Sequence, residues 1–173
     1  MWLKLDLAGI TFEFRVLNYN PAHTDNWYDQ WCQISLACHR ESWLDFSLYN
    51  DQNLLSCEID EILKSIDDLL NDRLNEPTEL TFIEPDFTFI FNPKKDLTKD
   101  PRYTFVRPGY EIEDIDTELK ISFWNGGLTA NYLSLRFYRK DLLDLRNYLL
   151  LATGKIAETD KSIQEMIKSG KYY

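Results

Sequence analysis

The chain predicts an α+β fold: a single antiparallel β-sheet with two main amphipathic helices packed on one face. Three observations predict it. Apolar and polar residues alternate through most of the N-terminal third, the period of half-buried strands. The period then switches to a helical stripe at Ile59, Ile62, Leu63, Ile66, Leu69, Leu70 and Leu74, and switches again near Lys140. Short turn signals such as Ala8-Gly9 and Asn125-Gly126-Gly127 separate the segments, as antiparallel hairpins require.

In order, Leu3, Leu5 and Leu7 make a first strand, and Ile10, Phe12, Phe14 and Val16 a second. Asn18 to Asp25, with Pro21, reads as a loop. Cys32, Ile34, Leu36 and Cys38 follow, then Leu44, Phe46 and Leu48. The first helix takes Ser56 as N-cap, places Glu58, Asp60 and Glu61 where the helix dipole favours negative charge, and stops before Pro77. Strands resume at Leu80–Phe82 and at Phe87, Phe89 and Phe91. The 25 residues from Pro93 to Thr117 contain three prolines and read as a long loop with a short extended piece at Tyr103–Val106. Leu119, Ile121 and Phe123 pair with Leu133, Leu135 and Phe137, and a second helix runs from Lys140 to Ala152. Residues 1–154 are expected to form one domain; 155–173 form a tail with one short helix around Ser162–Lys168. The order strand–strand–helix occurs twice, with matching strands 87 and 89 residues apart: Ile34/Ile121 and Leu44/Leu133.

A length of 173 residues suits one domain on the usual range of about 100–200. At 44% hydrophobic and 28% charged, the chain is not mainly disordered. No stretch approaches the roughly 18–20 apolar residues of a membrane span. Asp6 and Glu13 interrupt any signal-type apolar core, so a cytosolic location is expected. The three cysteines, an odd number without CxxC spacing, agree with a reducing compartment. Cys32 and Cys38 on one strand lie about 20 Å apart, beyond the reach of a disulfide. Cys38-His39 leaves only His23 to complete a metal site, so no metal and no cofactor are expected.

The net charge of −10 is unevenly placed. Residues 1–40 carry −1 and 87–173 carry +2, whereas 41–86 hold thirteen acids against Lys64 and Arg73, a balance of −11. Such a field repels nucleic acid and steers a basic protein towards this stretch. On the first helix Asp60, Asp67, Asp68 and Asp72 lie off the apolar stripe, as a partner-binding surface or as a solvated face would have them.

The strand alternation sorts the tryptophans. Trp2, Trp31, Trp43 and Trp124 oppose the aliphatic parity of their strands, and Trp27 keeps the parity of Trp31. Tyr49, Tyr132 and Tyr138 share that side. If the helices cover the aliphatic face, the other face is rich in the residue types that dominate binding hot spots. It is then either a contact surface or covered by the long loop, the tail or a second subunit. Catalytic patterns are missing: there is no GxSxG, no HExxH, no phosphate-binding glycine loop and no EF-hand, and the two histidines have unpromising neighbours. No catalytic residue is assigned and the chain is not expected to be an enzyme.

The Trp27–Leu36 strand, the acidic Ile59–Leu70 helix, the Glu84–Phe91 strand and the closing hairpin and helix of Leu119–Leu151 together resemble the immunity proteins paired with bacterial WapI-type polymorphic toxins. The resemblance implies a bacterial cytoplasmic protein that binds and neutralises a cognate toxin, a nuclease in many such pairs. The expected contact residues are Asp60, Asp67, Asp68 and Asp72 on the helix and Trp27, Trp31, Trp43 and Trp124 on the sheet. The expected partner is a basic protein, not nucleic acid and not a membrane, with the chain itself a monomer or homodimer. The alternative reading is a scaffold module that self-associates through its tryptophan-rich face; an enzyme comes third.

Overall fold

The computed structural model describes residues 1–21 and 30–173. Strands β1 (Leu3–Leu7), β2 (Ile10–Leu17), β3 (Trp31–Arg40) and β4 (Leu44–Leu55) form one antiparallel sheet in that order. Helix α1 (Ser56–Leu70) follows β4 directly, and β5 (Thr78–Thr81) and β6 (Phe87–Asn92) come next. The long connection holds a two-stranded ribbon, β7 (Lys95–Asp96) with β8 (Ile112–Glu113). Then come β9 (Asp116–Trp124), β10 (Leu128–Tyr138), α2 (Arg139–Ala152) and α3 (Lys161–Lys168). The second sheet has the order β10-β9-β6-β5.

The fold is α+β with antiparallel sheets, and the expected sheet is divided into two of four strands each. Alternation assigns a residue to a face; it carries no information about which strands share a ladder. Both sheets turn their apolar faces inward, where Phe12 of the first meets Phe137 of the second edge-on at 5.2 Å. The stripe of α1 (Ile59, Ile62, Ile66, Leu69) and Leu142, Leu145 and Leu149 of α2 complete the same core. Tyr148 of α2 accepts the Val16 N–H of β2 at 2.9 Å, and burial pushes its phenol up to about 12.

Local chemistry explains the joints. Ala8 and Gly9 turn β1 into β2 with φ of 53° and 90°, the left-handed pair that suits a two-residue hairpin, and Asp6 accepts the Gly9 N–H at 2.6 Å. Each strand–strand–helix unit enters its helix through an acid in the first turn. Leu55 N–H donates to Glu58 at 2.7 Å before α1, and Tyr138 N–H donates to Asp141 at 3.0 Å before α2. Glu58 is buried and its second oxygen accepts the Ile83 N–H at 2.9 Å, fixing the segment after β5.

Three expectations need correction. Ser56 is not the N-cap, because its hydroxyl donates to the Gln30 carbonyl at 3.1 Å and accepts the Asn20 N–H at 3.0 Å. Helix α1 ends at Leu70 rather than near Pro77, and Asp72, at φ 55°, lies beyond it in the left-handed region. Tyr103–Val106 forms no strand; the paired residues of the long connection are those of β7 and β8.

The two edges of the first sheet are treated differently. Along β1, Trp2 N–H donates to the Tyr173 carbonyl and Lys4 N–H to the Lys171 carbonyl, both at 2.7 Å, so residues 171–173 close that edge. On its other side β4 has only β3 among the described strands. No described helix is long and apolar enough to cross a membrane.

Candidate functional site

The carboxylates expected on α1 are each engaged within the molecule. Asp60 accepts the Tyr19 hydroxyl at 2.9 Å and the Lys155 ammonium at 2.6 Å. Asp67 accepts from the Arg146 guanidinium of α2, Asp68 from Arg73 at 2.6 Å, and Asp72 from Lys94 at 2.9 Å. The acidic face of α1 is therefore a seam stitched to α2 and to the segments on either side of it. Desolvation and the Asp60 hydrogen bond push the Tyr19 phenol up to about 12. That shift belongs to this packing.

The tryptophans do not share one face. Trp2 and Trp31 belong to the first sheet and are half-buried; Trp124 ends β9 of the second. Trp27 lies outside the described residues. On the outer face of the first sheet, Arg15 stacks on the Trp2 ring at 4.7 Å, and that ring meets Tyr49 edge-on at 6.2 Å.

Trp43 and Trp124 differ from the others: they are 64% and 51% exposed, and they mark one end of the molecule. Trp43 stands in the β3–β4 turn, beside Leu44 and Phe46 of β4. Trp124 stands at the β9–β10 turn beside Phe123, and Leu128 and Tyr132 of β10 are exposed there too. The rings of Phe46 and Phe123 lie 5.9 Å apart, so the two turns converge although they belong to different sheets. Between them opens a groove of about 380 Å³ lined by Phe46, Leu48, Asp86, Phe87, Ile121, Ser122, Phe123 and Trp124. Asp86 anchors its inner end. It accepts the Trp124 indole N–H at 2.5 Å and the Asn53 amide, and its backbone carbonyl accepts the Ser122 N–H at 2.8 Å. One carboxylate thus joins β4 of the first sheet to β9 of the second.

A model of the immunity protein WapI-like family matches residues 4–150, from β1 through nearly all of α2. The chain belongs to that family. No curated protein matches its sequence. The matched span includes both strand–strand–helix units and both walls of the groove.

In this immunity-family chain a larger cleft lies elsewhere. About 560 Å³ in volume, it opens where the long connection passes the second sheet, among Lys94, Lys95, Arg102, Asp114, Asp116 and Arg136. Its charges are of both signs and largely satisfy one another. Asp100 accepts from Arg102 at 2.8 Å and from Lys95, which hold it well below the usual carboxylate range, and Asp114 pairs with Arg139 at 2.7 Å. Such a site offers a partner no net charge and a predominantly polar lining. The three cysteines are unpaired thiols, and no cluster of metal-ligating side chains occurs among the described residues.

The alternation set Trp43 and Trp124 off the core face, and both are exposed; it assigned Phe46 and Phe123 to the covered face. Phe46 is half-buried and Phe123 is 38% exposed, and both line the groove. Asp86 has no signature of this role in the sequence.

Proposed function

We propose that this protein neutralises a cognate toxin by binding it, without catalysis, and that the open end around Trp43, Phe46, Phe123 and Trp124 makes the contact. One observation carries the surface assignment. Half-buried Phe46 and exposed Phe123 bring two sheets together there beside exposed Trp43 and Trp124, whereas Asp60 and Asp67 of α1 are committed to internal ion pairs. Aromatic residues are enriched at protein interfaces, tryptophan especially at their hot spots, and a large contiguous apolar patch on a soluble domain marks a contact site. The acidic balance of residues 41–86 favours a basic partner protein over nucleic acid.

The test is co-expression in bacteria with a WapI-type toxin domain that kills the unprotected host. Trp43→Ala/Trp124→Ala should lose protection while remaining folded by circular dichroism. Asp60→Asn/Asp67→Asn/Asp68→Asn/Asp72→Asn should protect as the parent does. The reverse outcome would move the contact to α1. A stable dimer in sedimentation, weakened by the tryptophan pair, would assign the open end to self-association instead.

A further inference from the structure

We propose that the partner completes the first sheet: an extended segment of alternating basic and apolar residues adds along the open edge of β4, with its apolar side chains seated in the groove. This rests on the reading above that the open end is the contact surface.

The backbone supports strand addition. An edge strand presents unpaired N–H and C=O groups, and folded proteins keep such edges short, charged or covered. Here residues 171–173 cover β1, whereas among the described strands the twelve-residue β4 pairs with β3 alone. From Leu44 to Leu48 β4 keeps unbroken register with β3, from Arg40↔Leu44 to Leu36↔Leu48. The ladder becomes irregular only beyond, where Asn50, at φ 53°, turns its N–H to the Ser35 hydroxyl at 3.0 Å. The regular edge is thus about five residues, roughly 17 Å at ~3.3 Å each. Across the groove β9 outruns β6. Phe87 pairs with Ile121 and the Asp86 carbonyl takes the Ser122 N–H, leaving Phe123 and Trp124 without a strand on that side. The gap therefore has a strand edge on both walls.

The side chains specify the occupant. Asp86 is the one charged residue lining the groove. The segments that contribute the lining, 41–51, 82–88 and 121–133, also carry Glu41, Asp45, Asp51 and Glu84 and no lysine or arginine; His39 of β3 pairs with Asp45 at 2.9 Å. Arg40 and Lys120 stand just outside, over the rings of Trp43 and Tyr132. A second copy of a chain of net charge −10 is a poor fit to such walls; a basic segment is a good one. An added strand alternates its side chains across the sheet. Those on the inner side meet Phe46 and Leu48, and those on the outer side stand beside Asp45, where opposite charges pair across strands.

The experiment titrates the full-length protein with the capped heptapeptide Lys-Val-Lys-Phe-Lys-Val-Lys and follows backbone amide exchange by NMR. The expected result is exchange slowed about tenfold at amides within Leu44–Leu48. That protection should be absent with the matching Glu-Val peptide, and absent when alternate backbone nitrogens of the basic peptide are methylated. Asp45→Lys/Asp51→Lys, both at exposed positions, should reverse the preference towards the Glu-Val peptide. Protection confined to α1, equal protection by the methylated peptide, or none at all overturns strand addition. If the peptide fails while Trp43→Ala/Trp124→Ala still abolishes toxin protection, the contact surface stands and the mode of engagement is wrong.

Discussion

Helix α1 and the open end of the two sheets share the negative charge of residues 41–86 and use it in opposite ways. On α1 the carboxylates of Asp60 and Asp67 reach Lys155 and Arg146, so the charge is spent on holding the C-terminal third of the chain against the first helix. At the open end, Glu41 and Glu84 have no ion-pair partner among the described residues, and they flank exposed rings. Charge density in a sequence therefore does not show which carboxylates the fold leaves unpaired. What matters is whether the cations that could neutralise it are brought home by the fold. Residues 87–173 carry a surplus of bases, and the fold delivers Lys94, Arg146 and Lys155 to α1 and its C-terminal end.

The sharpest way to break this comparison is to measure affinity for the toxin domain directly. Trp43→Ala/Trp124→Ala should weaken binding by about thirtyfold or more, or roughly 2 kcal/mol, as truncated aromatic hot spots do. The fourfold Asn variant of Asp60, Asp67, Asp68 and Asp72 should bind within about threefold of the parent. Equal losses in a titration would mean that the two regions form one surface.

A smaller effect tests whether the open end is held in shape from within. Asp86→Ala removes the acceptor of both the Trp124 indole and the buried Asn53 amide. An orphaned buried donor costs about 1–3 kcal/mol, which urea unfolding should show. The Trp124 indole should also become more mobile by NMR relaxation. Unchanged stability would show that the two sheets are joined by apolar packing alone.

On the closed side the expected losses are smaller again. Asp67→Asn and Asp60→Asn should each cost up to about 1 kcal/mol, because their pairs are only half-buried and solvent screens them. Reversing the Asp67 pair, as Asp67→Arg with Arg146→Asp, should recover part of the loss in a double-mutant cycle. No coupling between the two sites would reduce the seam to a surface coincidence.

Much of this architecture could be read in the sequence for one reason: strand and helix periods depend on neighbours in the chain. The stripe from Ile59 to Leu69, the turn at Ala8-Gly9 and the parity of Leu3, Phe12 and Ile34 all follow from local pattern and reappear as the core. What depends on long-range partners did not show. The division into two sheets depends on which strands pair, and the two ladders are separated in sequence by a helix. The ion pairs of Asp60 and Asp67 span 95 and 79 residues, so the acids looked unoccupied. Phe46 and Phe123 have core parity and yet line the groove, a feature of tertiary geometry with no signature in either strand. The exposure of Trp43 and Trp124 was legible because both oppose the apolar parity of their strands.

The smallest effect concerns pH and asks whether the closed side is built from many weak pairs. Arg139, the first residue of α2, donates to Asp114 at 2.7 and 2.9 Å and reaches the Leu70 carbonyl at the end of α1 at 3.5 Å. Helix α1 has no basic residue in its last turn, so this guanidinium supplies the positive charge that a helix C-terminus favours. Its hydrogen bonds lower the Asp114 carboxyl to about 2. A folded-state value below that of the unfolded chain, near 3.9, stabilises the fold above the unfolded value and loses that contribution as pH falls towards the folded one. Asp114 and Arg139 are partly exposed, so the contribution is discounted to a few tenths of a kcal/mol. Urea midpoints for the parent and for Asp114→Asn should therefore differ slightly at pH 6 and converge between about pH 4 and pH 2. A gap that persists at pH 2 would mean that Asp114 acts through packing or backbone geometry, and that α1 and α2 are joined there by something other than charge.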